Sequence, residues 1–363
     1  MSDSLFEPFS LGKIELQNRV AMAPMTRSRA DNPERAATPL IGTYYEQRAS
    51  AGLLISEGTQ VSTEAVGYIN TPGIHSEAQI QGWRHVTARV HAKNGKIFAQ
   101  LWHVGRISHT EHLGGKEPLA PSAINANAKS FISEGFVDTS TPRAMTTEDI
   151  KRTQQDFAQA ALNAFEAGFD GVEIHAANGY LFHQFFTRCS NQRTDEYGGS
   201  RENRMRFLFE TLDVMKEQGV DLTRVGVRLN PSAHNFNGTS VDEDTIPTFE
   251  AIVTRLNDYP LAYLHLCEPF NDVSEVPHAE TQIARRFRPL YKGVLMINCG
   301  FDAEKAQQFI DEGLADMVAF GKPFISNPDL VERMKHNKPL AKWDTSTFYT
   351  TGPKGFIDYP KAP

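Results

Sequence analysis

The sequence is poor in the features that mark secreted, membrane-spanning or metal-clustered proteins. It has three cysteines in 363 residues, Cys189, Cys267 and Cys299. An odd number so widely spaced gives no disulfide framework, and the absence of CxxC spacing gives no zinc or iron–sulfur signature. Reduced thiols in a cytoplasmic protein are the expectation. No apolar run reaches the roughly 18 residues that a membrane helix needs. Ser2, Asp3 and Ser4 do not form a basic-then-apolar leader, and the residues from Tyr359 to Pro363 carry no lipidation or peroxisomal signal. Positive charge is in deficit, 37 Lys+Arg against 44 Asp+Glu for a net −7, which argues against a nucleic-acid surface. No low-complexity linker divides the chain. The expectation is one domain over residues 1–363, without nucleic-acid or membrane partners, as a monomer or homodimer.

What is present is a globular balance, 40% hydrophobic and 22% charged, arranged in an alternation. Short apolar runs, often β-branched, recur at Arg19–Thr26, Leu53–Val61, Lys96–Val104, Gly171–Asn178, Val225–Pro231, Leu261–Glu268, Val294–Gly300 and Met317–Gly321. Near-continuous apolar runs suit strands covered on both faces. Between them lie stretches of helical period. Ser76–Asn94 sets Ile80, Trp83, Val86 and Val90 inward. Thr147–Gly168 opens on a capping sequence, and Ser200–Gly219 carries Met205, Leu208, Phe209, Leu212 and Met215 on one stripe. Eight such units predict a (β/α)₈ TIM barrel, with a doubly wound sheet as the runner-up.

Two segments break the repeat. Leu5–Leu16 alternates like a β-hairpin and predicts an N-terminal plug for the barrel bottom. Arg106–Met145, an insertion over about 106–146 after the third strand, is too long for an ordinary loop and predicts a cap over the site.

Function in a barrel is expected at the C-terminal strand ends. Those ends offer Pro24-Met25-Thr26, Glu57-Gly58-Thr59, Gln100 to His103, His175 with Asn178 and Tyr180, Arg228 with Asn230, Asn298 to Gly300, and Gly321-Lys322. His175 and Asn178 can both donate to one oxygen, and Tyr180 adds a proton source beside them. Two donors and an acid suit a substrate oxygen that gains charge while a neighbouring carbon is protonated. A satisfied buried histidine beside a turn-forming Asn-Gly is the plainer alternative. Arg228 within a buried strand needs an anionic or strongly polar partner, Glu173 or a ligand. The glycines of Gly300-Phe301 and Gly321-Lys322, with one cation, suggest a phosphate position. His103 and His175 leave a metal-dependent hydrolase as a rival, although too few acidic ligands accompany them and no metal is expected.

Four motifs, in this order and spacing, resemble the old yellow enzyme family. They are Ala23-Pro-Met-Thr-Arg27, Ala99-Gln-Leu-Trp-His-Val-Gly-Arg106, His175-Ala-Ala-Asn-Gly-Tyr180 and Ser190-Asn-Gln-Arg-Thr-Asp-Glu-Tyr-Gly-Gly199. The likeness runs nearly end to end, towards the N-ethylmaleimide and nitrate-ester reductases. It implies a non-covalent FMN, reduced by NAD(P)H and reoxidised by electron-poor alkenes such as enones, maleimides or nitroalkenes. His175 and Asn178 would hold the substrate oxygen and Tyr180 would protonate the α-carbon. Thr26, Gln100 and Arg228 would grip the flavin, framed by Pro24, Met25 and Gly58, with Gly300, Phe301, Gly321 and Lys322 at its phosphate. Tyr68, Trp102, Phe236 and Tyr349 would line the substrate side. A catalytically idle flavin-binding protein is the non-enzyme alternative. Three departures from the family pattern stand out: Lys322 where arginine is usual, Leu181-Phe182-His183 after the tyrosine, and Gly58 for alanine, which predicts a looser flavin wall.

Overall fold

The structure, a computed structural model, describes residues 3–362. Eight parallel strands close into a ring: β1 (Val20–Met22), β2 (Leu53–Gln60), β3 (Ile97–Trp102), β4 (Gly171–His175), β5 (Val225–Leu229), β6 (Tyr263–Cys267), β7 (Leu295–Asn298) and β8 (Met317–Phe320). Each pairs with the next in sequence, and β8 returns to β1, so this is the TIM barrel that the alternation predicts. In β4, Val172 and Ile174 join the large apolar cluster shared with the helices, whereas Glu173 bonds His265 inside the bore and His175 lines the cavity at its mouth. Each fully buried aliphatic side chain of this kind contributes about 1.5–3 kcal/mol.

The helices start where side chains can satisfy free N–H groups. Glu77–His91 begins after Ser76 and Thr147–Glu166 after Thr146, both through reciprocal capping boxes with Gln79 and Asp149. Thr146 therefore caps the second helix and Thr147 is its first helical residue, because the carboxylate needed three residues on is Asp149.

The N-terminal hairpin pairs Phe9–Leu11 with Ile14–Leu16. Its beginning at Leu5 is a short 3-10 turn, Ser4–Phe6, rather than strand, and Pro8 lacks the N–H that a ladder would use. Leu11 and Leu16 pack against Ala21, Leu53, Phe98, Tyr263, Met296 and Met317, which closes the end of the bore opposite the strand C-termini. The segment after β3 carries its own hairpin, Lys129–Ile132 with Gly135–Asp138, and a short parallel pair, Leu119–Ala120 with Arg143–Ala144. The hairpin is tied to the loop after β2 by Ile69 N–H donating to the Phe131 carbonyl at 2.7 Å and by Ser130 Oγ donating to the Gly67 carbonyl at 2.6 Å. Phe131 and Phe136 then meet Tyr349 edge-on, bringing the cap to the rim of the mouth.

Candidate active site

Strand β4 ends at His175, and the chain must turn at once into the helix Leu181–Phe186. Asn178 makes that turn in the left-handed region, φ 61°, which asparagine tolerates better than most residues. Its carboxamide is then fixed from behind. Asn230 Nδ2, just past β5, donates to Asn178 Oδ1 at 2.9 Å, while Asn237 Nδ2 donates to the main-chain carbonyl of Asn178 at 2.9 Å and holds the turn. With Oδ1 engaged, the amino group of Asn178 is the end left for a ligand.

His175 is held similarly. Its Nδ1 accepts from the Ala177 N–H at 3.4 Å, which assigns the ring proton to Nε2. Burial, reinforced by the Arg228 charge, keeps this imidazole neutral, with its pKa well below the ordinary histidine range. Tyr180 follows at the start of the helix, its Oη 2.9 Å from that of Tyr68, and burial pushes its phenol up to about 12. Trp102, at the end of β3, stacks on Tyr68 at 5.4 Å and meets Tyr180 edge-on at 5.1 Å.

These side chains open on a cavity of about 250 Å³ at the C-terminal mouth of the barrel. It is lined by Pro24, Met25, Thr26, Gly58, Gln100, Trp102, His175, Asn178, Tyr180, Arg228, Phe236, Lys322 and Tyr349, gathered from six strand ends and the C-terminal segment. Ile325 and Phe348 line it too, and sequence reasoning passed over both. The C-terminal segment is placed by two buried arginines, Arg27 of the first motif and Arg29 just after it. Arg27 donates to the Gly355 carbonyl at 2.9 Å, and Arg29 donates to those of Thr347 and Phe348 at 2.9 Å each.

Four residues expected at the site lie outside this lining. Tyr68 stands behind Tyr180 and Trp102. Gly300 borders a neighbouring open cavity, where its carbonyl accepts from Lys305 Nζ at 3.0 Å. That ammonium also sits 4.5 Å above the Phe301 ring, a second cation that the sequence reading did not use. Gly321 adjoins the cavity through Met25, whose sulfur would lie 3.5 Å from a Cβ at that position. Gly58 does not leave the looser wall expected of it. A bulge in β2 between Ile55 and Gly58 turns it under Trp102, and a Cβ there would meet the indole at 2.4 Å.

Arg228 reaches the mouth from β5 almost fully buried. The Asn298 carboxamide accepts from its Nη2 at 3.0 Å and donates to the Leu266 carbonyl at 3.2 Å. Among the described residues its Nε has no partner, and neither has the indole N–H of Trp102. A group with anionic or carbonyl oxygens would satisfy such donors. A flavin has them along its pyrimidine edge, so these residues fit FMN. His103 does not join His175: its Nδ1 accepts from the Gly105 N–H at 3.0 Å, and its buried Nε2 has no partner among the described residues. Among the described residues no group of three or more His, Cys, Asp or Glu is placed to hold a metal.

The NADH:flavin oxidoreductase / NADH oxidase family profile matches residues 4–341. The chain belongs to that family, the old yellow enzymes. It is 40% identical over 361 residues to 12-oxophytodienoate reductase 1 of Oryza sativa subsp. japonica, covering 98% of this chain and 92% of the relative. It is 41% identical over 384 residues to flavin oxidoreductase hxnT of Emericella nidulans, covering 99% and 98%. Among solved structures, morphinone reductase in complex with tetrahydroNAD superposes with a TM-score of 0.91 at 42% identity, covering 100% of this chain and 98% of that one. The old yellow enzyme homologue from Zymomonas mobilis gives 0.92 at 39% identity, covering 99% and 100%. Old yellow enzymes are FMN flavoproteins, and this chain is a flavin oxidoreductase of that family.

Proposed function

We propose that the protein is an ene-reductase that uses NAD(P)H to reduce activated C=C bonds of α,β-unsaturated carbonyls, maleimides or nitroalkenes. The observation that carries this reading is the convergence of a neutral His175, the amino end of Asn178 and the protonated Tyr180 on the cavity that Gln100 and Arg228 also line. Bound FMN would supply the two-electron redox chemistry between NAD(P)H and the alkene. The protein's own groups do the rest. Thr26, Gln100 and Arg228 would hold the polar edge of the ring, and Lys322, with Lys305 near Gly300, would offer positive charge for the phosphate. His175 Nε2–H and Asn178 Nδ2–H donate to the substrate oxygen, where negative charge develops as the β-carbon is reduced. Each such donor is worth about 2.7–4 kcal/mol of barrier. Tyr180 gives its proton to the α-carbon, and with its phenol pushed up to about 12 it is fully in the acid form at neutral pH. A cytoplasmic location belongs to the same reading, supported by three free thiols.

The test is anaerobic. The purified protein should be yellow, bleach with NADPH or NADH, and regain colour with a panel of enones, maleimides and nitroalkenes. A yellow protein that bleaches but is not reoxidised by any activated alkene would overturn the ene-reductase reading. One that never bleaches would favour the idle flavin carrier.

A further inference from the structure

Below the mouth lies a buried polar group that the chemistry above does not use. Glu173, on β4, is fully inaccessible and does not line the cavity. Three side chains from two other strands donate to it. Gln100 Nε2 reaches Oε1 at 2.9 Å, while Tyr263 Oη and His265 Nδ1 reach Oε2 at 2.9 and 2.8 Å. Burial opposes its charge, but His265, Arg228 and Tyr263 outweigh that and keep it a carboxylate. Burying a carboxylate is costly unless its charge is used or fully compensated.

Two consequences follow. Because the amino group of Gln100 is drawn towards Glu173, its carbonyl oxygen is the end presented to the cavity. An acceptor there complements an imide N–H, which the flavin pyrimidine carries between its two carbonyls. The carboxylate also lies within electrostatic reach of Arg228, so the cation at the mouth is partly neutralised. A reduced flavin is anionic near that cation, and an oxidised one is neutral.

We infer that Glu173 is a positioning residue for the flavin pyrimidine: it orients Gln100 as an acceptor and, by offsetting Arg228, limits the preference of the site for reduced over oxidised FMN. This rests on the flavin reading above.

Two variants of the holoenzyme separate the effects. Glu173→Gln keeps the shape and removes the charge. It should raise the affinity ratio for reduced over oxidised FMN about tenfold, read as a midpoint potential about 30 mV more positive. Glu173→Asp keeps the charge but withdraws from Gln100. It should raise the dissociation constant of oxidised FMN about tenfold and move the affinity ratio less than about threefold. The two readouts are dye-equilibrated potentials and fluorescence titration of the apoprotein with FMN. If only one variant folds, its own arm decides. An unchanged potential in Glu173→Gln, or unchanged FMN affinity in Glu173→Asp, makes Glu173 a packing element and overturns the inference. A wild-type protein that binds no FMN would instead sink the underlying flavin reading.

Discussion

The direction in which Asn178 points rests on one buried neighbour, which makes Asn230 a sharp probe of the site. Asn230 is fully buried, and its Nδ2 donates to Asn178 Oδ1 at 2.9 Å. In Asn230→Asp that oxygen faces an acceptor-only carboxylate instead of a donor, and a buried acceptor left unpaired costs about 1–3 kcal/mol. Asn178 can escape the cost by rotating its carboxamide half a turn, which gives its amino group to the new carboxylate and brings the oxygen to the cavity. The rotated form would be favoured by a factor of about 5 to 150. It offers an acceptor where the ligand oxygen needs a donor, so the competent fraction, and with it the apparent affinity, falls by the same factor. Asn230→Ala should do less, because rotation there only exchanges an unpaired oxygen for an unpaired amino group. The assay is titration of the yellow holoenzyme with a para-substituted phenol, following the long-wavelength absorbance of a phenolate stacked on flavin, with FMN content and melting temperature as controls. An Asn230→Asp protein that keeps its flavin, melts normally and binds the phenol within about twofold of wild type would refute the claim that Asn178 presents its amino group.

Tyr180→Phe should keep FMN and its bleaching by NAD(P)H, yet slow reoxidation by a simple enone about 10²- to 10⁴-fold in single-turnover stopped flow; unchanged turnover removes Tyr180 as the acid. Because burial pushes the Tyr180 phenol up to about 12 and holds His175 well below its usual range, the required forms, acid tyrosine and neutral histidine, both persist across neutrality. The tyrosine proton is lost only as pH rises towards its raised value, and the histidine gains one only as pH falls towards its lowered value. The alkene step should therefore vary less than about twofold between about pH 6 and 10, and a sigmoidal step inside that window would contradict the assignment. Lys322 is exposed, so Lys322→Ala should weaken FMN retention only about 2- to 5-fold, with the difference shrinking in high salt. A loss that is indifferent to ionic strength would argue against a phosphate contact.

The barrel was legible because strands covered on both faces leave a pattern that survives without any knowledge of partners. Val225–Leu229 is buried at every position, and its sequence reads as such. The mouth was legible to the extent that a residue's own position on a strand end determines its role. That logic found His175, Asn178, Tyr180, Gln100 and Arg228, which converge on one cavity. It failed where the role is set by register or by backbone groups. Asn230 appears among the strand-end residues, but its pairing with Asn178, 52 positions away, depends on how β5 is phased against β4. Phe348 is brought to the cavity by arginines that bind main-chain carbonyls, and every sequence has those. Gly58 was misread as a looser wall because a bulge, invisible in composition, turns it under the Trp102 ring.

Those failures share a cause that bears on how the site works. The polar groups at the mouth are each held by a partner that lies deeper or to one side: Asn178 by Asn230, Gln100 by Glu173, Arg228 by Asn298 and Tyr180 by Tyr68. A carboxamide has one donor end and one acceptor end, so engaging one end decides what the other offers. Orientation is thus settled during folding, and a ligand meets donors and acceptors that need not reorganise as charge develops, which is the condition under which hydrogen bonds lower a barrier rather than merely bind. The identity of the site therefore depends as much on residues that never touch a ligand as on those that do. Substitutions in that inner layer should change polarity at the mouth without changing its shape.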